Sequence, residues 1–231
     1  MGVELQPYIK GIPTQPREED YRRVRLLASR GVDLVLDVGA GTGQYALRTR
    51  SAGYGGRIVS FEPLSSAYAE LSARAEGDAT WDCRNQALGS SAGRAELHIA
   101  RNSYSSSLLE IEDRHVESAP ASAYVGSETA SVAVLDEIWD AVVGEGERPY
   151  LKLDVQGFEL EALRGAHGSL PSLVGVEAEL SLVALYEGAP LYREVLDYME
   201  ASGFRLAGLE PEFFDPETAE LLQAQGMFLR R

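Results

Sequence analysis

The segment LVLDVGAGTGQ constrains this chain more than any other. An apolar run stops at Asp37, and the chain then bends through Gly39, Gly41 and Gly43 into residues of helical spacing. An apolar strand, a glycine turn and a helix N-terminus together form a nucleotide-sized pocket, because glycine lets the backbone approach a ligand that any Cβ would exclude. The spacing narrows the ligand. A dinucleotide fingerprint reads GxGxxG with its acid only downstream, whereas here the glycines read GxGxG and Asp37 sits two residues ahead of the first.

That spacing points to S-adenosylmethionine (SAM) and disfavours an NAD-linked oxidoreductase. SAM has no pyrophosphate, so the turn must hold an amino acid and a ribose, and an acid at the strand end attracts the ammonium and sulfonium charges. A second acid agrees. RIVSFEP reads as another strand ending in Glu62, 21 residues beyond Gly41, close to the ~20 expected for a carboxylate that accepts ribose hydroxyls. The plainer alternative is that both acids only end strands and cap helices.

At 231 residues the chain fits one α/β domain with additions, residues 1–231. The formal net charge of −15 repels a phosphate backbone, so nucleic acid is a poor partner. The one dense basic stretch, RRVRLLASR, reads as a solvated helix face. Cys83 is the single cysteine, which excludes an internal disulfide and a cysteine-built metal site, and it reads as a small buried hydrophobe. The N-terminus lacks the charge and apolar run of a signal peptide, and Gln6 stands where a myristoylation signal needs Ser or Thr. No stretch reaches the ~18 apolar residues of a membrane span. The expectation is a cytoplasmic protein away from membranes.

Residues 1 to about 16, punctuated by Pro13 and Pro16, read as an arm, and REEDYRRVRLLASRG as a helix stopped by Gly31, so that 1–30 form an N-terminal arm and helix. Strand and helix signals then alternate. DLVLDV, RIVSFE, TWDCRNQAL, PYLKLDV, SLVGVEAEL, FRLAGLE and GMFLRR read as strands, separated by helical segments such as SSAYAELSARAEG and PLYREVLDYMEASG. Such alternation builds a mostly parallel sheet with helices on both faces, here closed by an antiparallel C-terminal strand, with ligands at the carboxyl ends of the strands. Residues 93–134 interrupt the rhythm with an extra strand pair and a polar loop of about 27 residues, NSYSSSLLEIEDRHVESAPASAYVGSE, long enough to act as a lid.

Taken together, LVLDVGAGTGQYAL, VSFEPLSSAYAEL, NQALGSSAGRAELHI, NSYSSSL, VAVLDEIWD and LKLDVQGFELEALRGA followed by GVEAEL resemble the FkbM-type family of SAM-dependent methyltransferases. The resemblance implies a Rossmann-like class I methyltransferase fold and methylation of hydroxyl or other acceptor oxygens on small molecules, including natural products and sugars. It implies that Asp37, Gly39, Gly41 and Gly43 form the SAM loop, that Glu62 is the ribose acid, and that Gln86 and Ala87 border adenine. Ser106 and Ser107 match a serine loop near the methionine end, Asp154 the acid of the family's DVEG motif and Glu159 the acid that follows. Gln156 departs from the pattern, standing where the family usually carries Glu.

Methyl transfer from a sulfonium needs in-line alignment and a way to make an alcohol nucleophilic, by a general base or a metal. Asp154 suits either role. Glu177 and Glu179, two apart on a strand, point to one face and with Asp154 form a candidate oxygen set for Mg²⁺; pairing with Arg164 or Lys152 is the alternative. His115, in the lid, is a candidate proton acceptor or a solvated loop residue. Tyr104, Tyr124, Tyr186 and Tyr192 are candidate walls of the acceptor pocket, and the arm and last helix candidate homodimer contacts. Two other readings stay open: methylation of a nitrogen or carboxylate, which needs no base, and a SAM-binding protein without catalysis.

Overall fold

The structure, a computed structural model, describes residues 16–231. All but the last residue of the expected N-terminal arm lies outside the described residues. Five parallel strands make the centre: β1 (Leu34–Val38), β2 (Arg57–Phe61), β3 (Trp81–Arg84), β7 (Pro149–Leu153) and β8 (Gly175–Ser181). Two long strands, β9 (Phe204–Phe214) and β10 (Leu221–Arg230), complete a sheet in the order β3-β2-β1-β7-β8-β10-β9, with β10 antiparallel to both of its neighbours. The antiparallel end is thus a pair of strands, both longer than their sequence signals.

Side-chain alternation divides this sheet into two faces. Leu34, Leu36, Val38, Leu151, Leu153, Val176 and Ala178 pack under α5 (Leu135–Val142), α6 (Glu159–Gly165) and α7 (Tyr192–Ala201). Val35, Ile58 and Tyr150 face α1 (Glu18–Ser29), α2 (Gln44–Ser51) and α3 (Ser65–Ala75). The insert forms a second sheet, in which β6 (Tyr124–Ala133) lies between β4 (Ala87–Leu88) and β5 (Gly93–Ala100), and Leu97 and Ala130 pack on Leu64 and Ala67. The expected long loop is partly ordered locally: it holds the short helix α4 (Asp113–Ser118), a 3₁₀ turn at Pro120–Ser122, and the first residues of β6. None of the helices among the described residues is long and apolar enough to cross a membrane.

The basic run on α1 is not wholly a solvated face. Arg23 is buried, with Nη1 2.7 Å from Asp20 and its guanidinium on both oxygens of Glu177, at 3.1 and 3.0 Å. The Tyr45 hydroxyl adds a hydrogen bond to Glu177 at 3.2 Å. Burial pulls the Arg23 guanidinium down, but Glu177, Tyr45 and Asp20 outweigh it and hold it well above its ordinary range. A buried ion pair is costly to break from one side, because the remaining charge has no partner. Arg23→Met is therefore expected to cost about 3–5 kcal/mol in urea unfolding. The double variant Arg23→Met/Glu177→Met should lose less than the two singles combined, and additive losses would show that the two residues are energetically independent.

Candidate active site

The glycine turn follows β1. Gly39, Gly41 and Gly43 have φ of +73°, +56° and +93°, and a Cβ at Gly39 would lie 1.7 Å from the Asp154 carbonyl oxygen. Glycine is required there by close backbone approach as well as by the left-handed conformation. The amides of Gly39 and Ala40 donate to the Phe61 carbonyl, both at 3.0 Å, which folds the turn over the end of β2. A Cβ at Gly41 would meet, among the described residues, only the far end of Gln44 at 3.4 Å, so the turn is open on that side.

Glu62 closes this turn. One oxygen accepts the Gly41 amide at 2.7 Å and the other the Leu64 amide at 2.8 Å. Burial pushes its carboxyl up to about 7, against the pull of those amides. Further along, Gln86 and Ala87 lead into the second sheet, and the buried Gln86 Nε2 has no hydrogen-bond partner among the described residues. An orphaned buried donor, a carboxylate with lone pairs to spare and an open glycine turn fit adenine, ribose and amino-acid groups in that order. The residues present thus suit SAM.

Asp37 has another occupation than the one expected. It is fully buried on the face of α1 and α2, where Ser60 donates to Oδ2 at 3.1 Å and Lys152 Nζ lies 3.1 Å from Oδ1. Because Asp37 alternates with Leu36 and Val38, its side chain points beneath the turn instead of into the cleft. Lys152, its register partner on β7, also donates to the Gly39 carbonyl at 3.1 Å and lies 3.6 Å from Asp154. Burial would lower the Lys152 ammonium, but Asp37 and Asp154 hold it above its ordinary range. The acid with part of its side chain exposed beside the turn is instead Asp154, at the end of β7.

Asp154 is the acid at the mouth of the cleft, its side chain 31% exposed. Gln156 Nε2 donates to its Oδ1 at 2.8 Å and to Glu179 Oε2 at 3.2 Å. Glu179 is nearly buried, and burial, then the charges of Asp154 and Glu212, raise it well above the carboxylate range. Glu159 is turned away from the cleft: it accepts the amides of Val155 and Gly157 at 3.1 and 3.3 Å and so holds the 154–157 turn. Ser107 donates to the Gln156 carbonyl at 2.7 Å, and Ser106 accepts the Ala100 amide at 3.1 Å, so both serines fix the segment 105–109 as a strap beside the acids. Tyr104, the residue just ahead of that segment, accepts from Gln44 at 2.9 Å across the entrance to the turn.

Two expected roles meet a different environment. His115 is buried against Tyr186 and Phe213, at ring distances of 5.1 and 5.6 Å, and burial lowers it to about 4. It meets the site through Tyr186, whose hydroxyl donates to Gln156 Oε1 at 2.7 Å. Glu177 is engaged by Arg23, not by Arg164 or Lys152, and lies mid-strand below the cleft. Among the described residues no three His, Cys, Asp or Glu side chains are arranged to hold a metal ion. Lys152, expected as an alternative partner of Glu177 or Glu179, pairs with Asp37, and Tyr186, expected as a candidate wall of the acceptor pocket, is buried and bonded to Gln156.

The chain matches the Methyltransferase FkbM domain over residues 37–206. None of the curated proteins matches it. Among solved structures it is similar to one described as an O-methyltransferase from Klebsiella pneumoniae, with 10% identity and a TM-score of 0.50, over 92% of this chain and 80% of that one. It is also similar to magnesium protoporphyrin IX methyltransferase from Synechocystis PCC 6803 with bound SAM, with 12% identity and a TM-score of 0.48, over 92% of this chain and 78% of that one. At such identities the likeness concerns the fold, that of the class I methyltransferases.

The state of Glu62 carries a testable consequence for ligand binding. A carboxyl raised to about 7 favours the fold most when protonated, below the ordinary carboxylate range, and that contribution is lost as the pH rises through 7. Accepting two ribose hydroxyls requires the ionised form, so affinity for S-adenosylhomocysteine rises over the same interval. Calorimetry should give roughly a tenfold gain between about pH 6 and pH 8, the change in ionised fraction of such a group. Glu62→Gln should flatten the profile; an unchanged slope would assign it to another group, such as Glu159, which burial also raises to about 7.

Proposed function

The chain belongs to the FkbM methyltransferase domain family, is on that ground a SAM-dependent methyltransferase, and from this premise we propose that it methylates a hydroxyl oxygen on a small molecule, as in natural-product biosynthesis. The observation that carries the reading is Asp154: it is the partly exposed acid of the cleft, and its backbone carbonyl meets Gly39 of the cofactor turn. Gly39, Gly41 and Gly43 would hold the amino acid, Glu62 the ribose and Gln86 with Ala87 the adenine. When bound, SAM supplies a methyl group on a sulfonium, which departs as a neutral thioether.

The protein's part is then alignment and proton removal. Oδ2 of Asp154, the oxygen that Gln156 does not hold, accepts the hydroxyl proton as the C–O bond forms. Lys152 and Gln156 hold that carboxylate from below and beside, at 3.6 and 2.8 Å, so it does not need to reorganise during the reaction. The strap fixed by Ser106 and Ser107, with Tyr104 across Gln44, limits water at the reacting end. His115, lowered to about 4, is neutral at physiological pH and supports Tyr186 by edge-on packing. The reading uses no Mg²⁺, since Glu177 is engaged by Arg23.

Asp154→Asn tests this. Transfer of labelled methyl from SAM to the hydroxylated acceptor that the wild-type chain labels should fall by about 10²–10⁴-fold, with S-adenosylhomocysteine affinity held within about threefold. Transfer that survives the substitution would move the reading to a nitrogen or carboxylate acceptor, which is nucleophilic without a base.

A further inference from the structure

Gln156 joins more elements of the cleft than any acid in it. Its side-chain amide has two N–H donors and one carbonyl, and each has a partner: Asp154 Oδ1 at 2.8 Å, Glu179 Oε2 at 3.2 Å and the Tyr186 hydroxyl at 2.7 Å. The Asp154 carboxylate only accepts, so it fixes which end of the amide carries nitrogen. Its backbone carbonyl accepts from Ser107, and Tyr186 also reaches the Ser105 carbonyl at 3.2 Å. Ser107 and Tyr186 are each 1% exposed, so this frame is fixed in the protein interior.

The backbone here is held where few side chains go. Gln156 has φ of +53° and the next residue, Gly157, +94°. A non-glycine residue persists in that region when its surroundings determine it more strongly than its own preference does. Here the determinants are the four hydrogen bonds that Gln156 itself makes, three through its side chain and one through its carbonyl.

We propose that Gln156 is the positioning residue of the cleft: it turns the Asp154 carboxylate toward the reacting methyl group and fastens that acid to the strap 105–109. This rests on the reading of Asp154 as proton acceptor. Without the amide, Asp154 Oδ1 loses the donor that ties it to the buried frame of Tyr186 and Ser107, and the partly exposed carboxylate rotates toward solvent. Asp154 then leaves the line of transfer while the cofactor turn, held by Glu62 and Phe61, stays as it was.

A pair of cofactor analogues separates these two ends of the site. S-adenosylhomocysteine has a neutral thioether at the reacting position, and sinefungin has a protonated amine there, so the ratio of their affinities reports the carboxylate facing that point. Calorimetry should show the wild-type chain favouring sinefungin by about tenfold, the size of one charge-assisted hydrogen bond. Gln156→Met should reduce the preference to about twofold or less, with S-adenosylhomocysteine affinity changed by less than threefold. Asp154→Asn should lose as much, and the double variant no more than either single. Gln156→Asn, which suits left-handed backbone but is too short to reach both acids, should give the same loss and serves if the Met variant does not fold. If Asp154→Asn loses the preference and the folded Gln156 variants keep it, or if the losses add, the positioning role is overturned and the reading of Asp154 stands. If Asp154→Asn keeps the preference, or the wild type has none, Asp154 does not face the reacting position and both are overturned.

Discussion

The ion pair between Asp37 and Lys152 underlies the rest of this architecture. It lies beneath the glycine turn with side-chain exposures of 0% and 5%, in the register row that β1 and β7 share. Taking two charges out of water costs several kcal/mol per ion before any attraction is counted. The offset comes from the number of partners: Lys152 donates to the carbonyls of Val38 and Gly39 as well as lying close to both acids, and Ser60 donates to the other oxygen of Asp37. One ammonium thereby ties the strand end, the turn and the Asp154 carboxylate to a single point.

The same row continues sideways as a line of alternating charge. Trp81 donates to Ser60, Ser60 to Asp37, and Asp37 pairs with Lys152; Glu177 stands beside Lys152 in register and pairs with Arg23, which pairs with Asp20. Lys152, Glu177 and Arg23 each lie between two opposite charges, and Asp37 at the end of the line is completed by Ser60, so the line behaves as one network. Tyr45 and Arg23 belong to α2 and α1, so the network also locates the two helices that cover this face.

Much of this was legible in the sequence where the constraint is local. The glycine turn, the acid that ends the second strand and the strands β1 and β7 each follow from neighbours within a few residues, and the structure has a turn, an acid and strands at those positions. The partner of Asp37 is 115 positions away and depends on strand order, which periodicity does not encode. One signal did mark it: a chain whose basic residues are nearly all Arg keeps Lys at 152, and a compact ammonium between two acids is the environment in which Arg, a planar fork, does not substitute. The long antiparallel pair was underestimated for a different reason. FRLAGLEPEFF contains Pro211 and two acids and lies at the sheet edge, where burial does not enforce alternation. Similarly, six residues of α4 are too few to show a helical period.

Carboxylates were the harder reading, since sequence gives the acid but not what its oxygens accept. Glu62 and Glu159 both spend oxygens on backbone amides of the turns they follow; Glu177 is consumed by an arginine, and only Asp154 keeps part of its surface in solvent. That division has a structural cause. The cofactor turn and the 154–157 turn are in backbone contact through Gly39 and the Asp154 carbonyl, and each needs a carboxylate of its own to bind its amides. Glu62 and Glu159 hold the turns, Asp37 and Glu177 pair beneath them, Glu179 is buried beside Gln156, and Asp154 stands where the two turns meet. The distance between a ligand on the first turn and the carboxylate on the second is therefore set by main chain and by buried hydrogen bonds, a geometry that side-chain motion alone does not loosen.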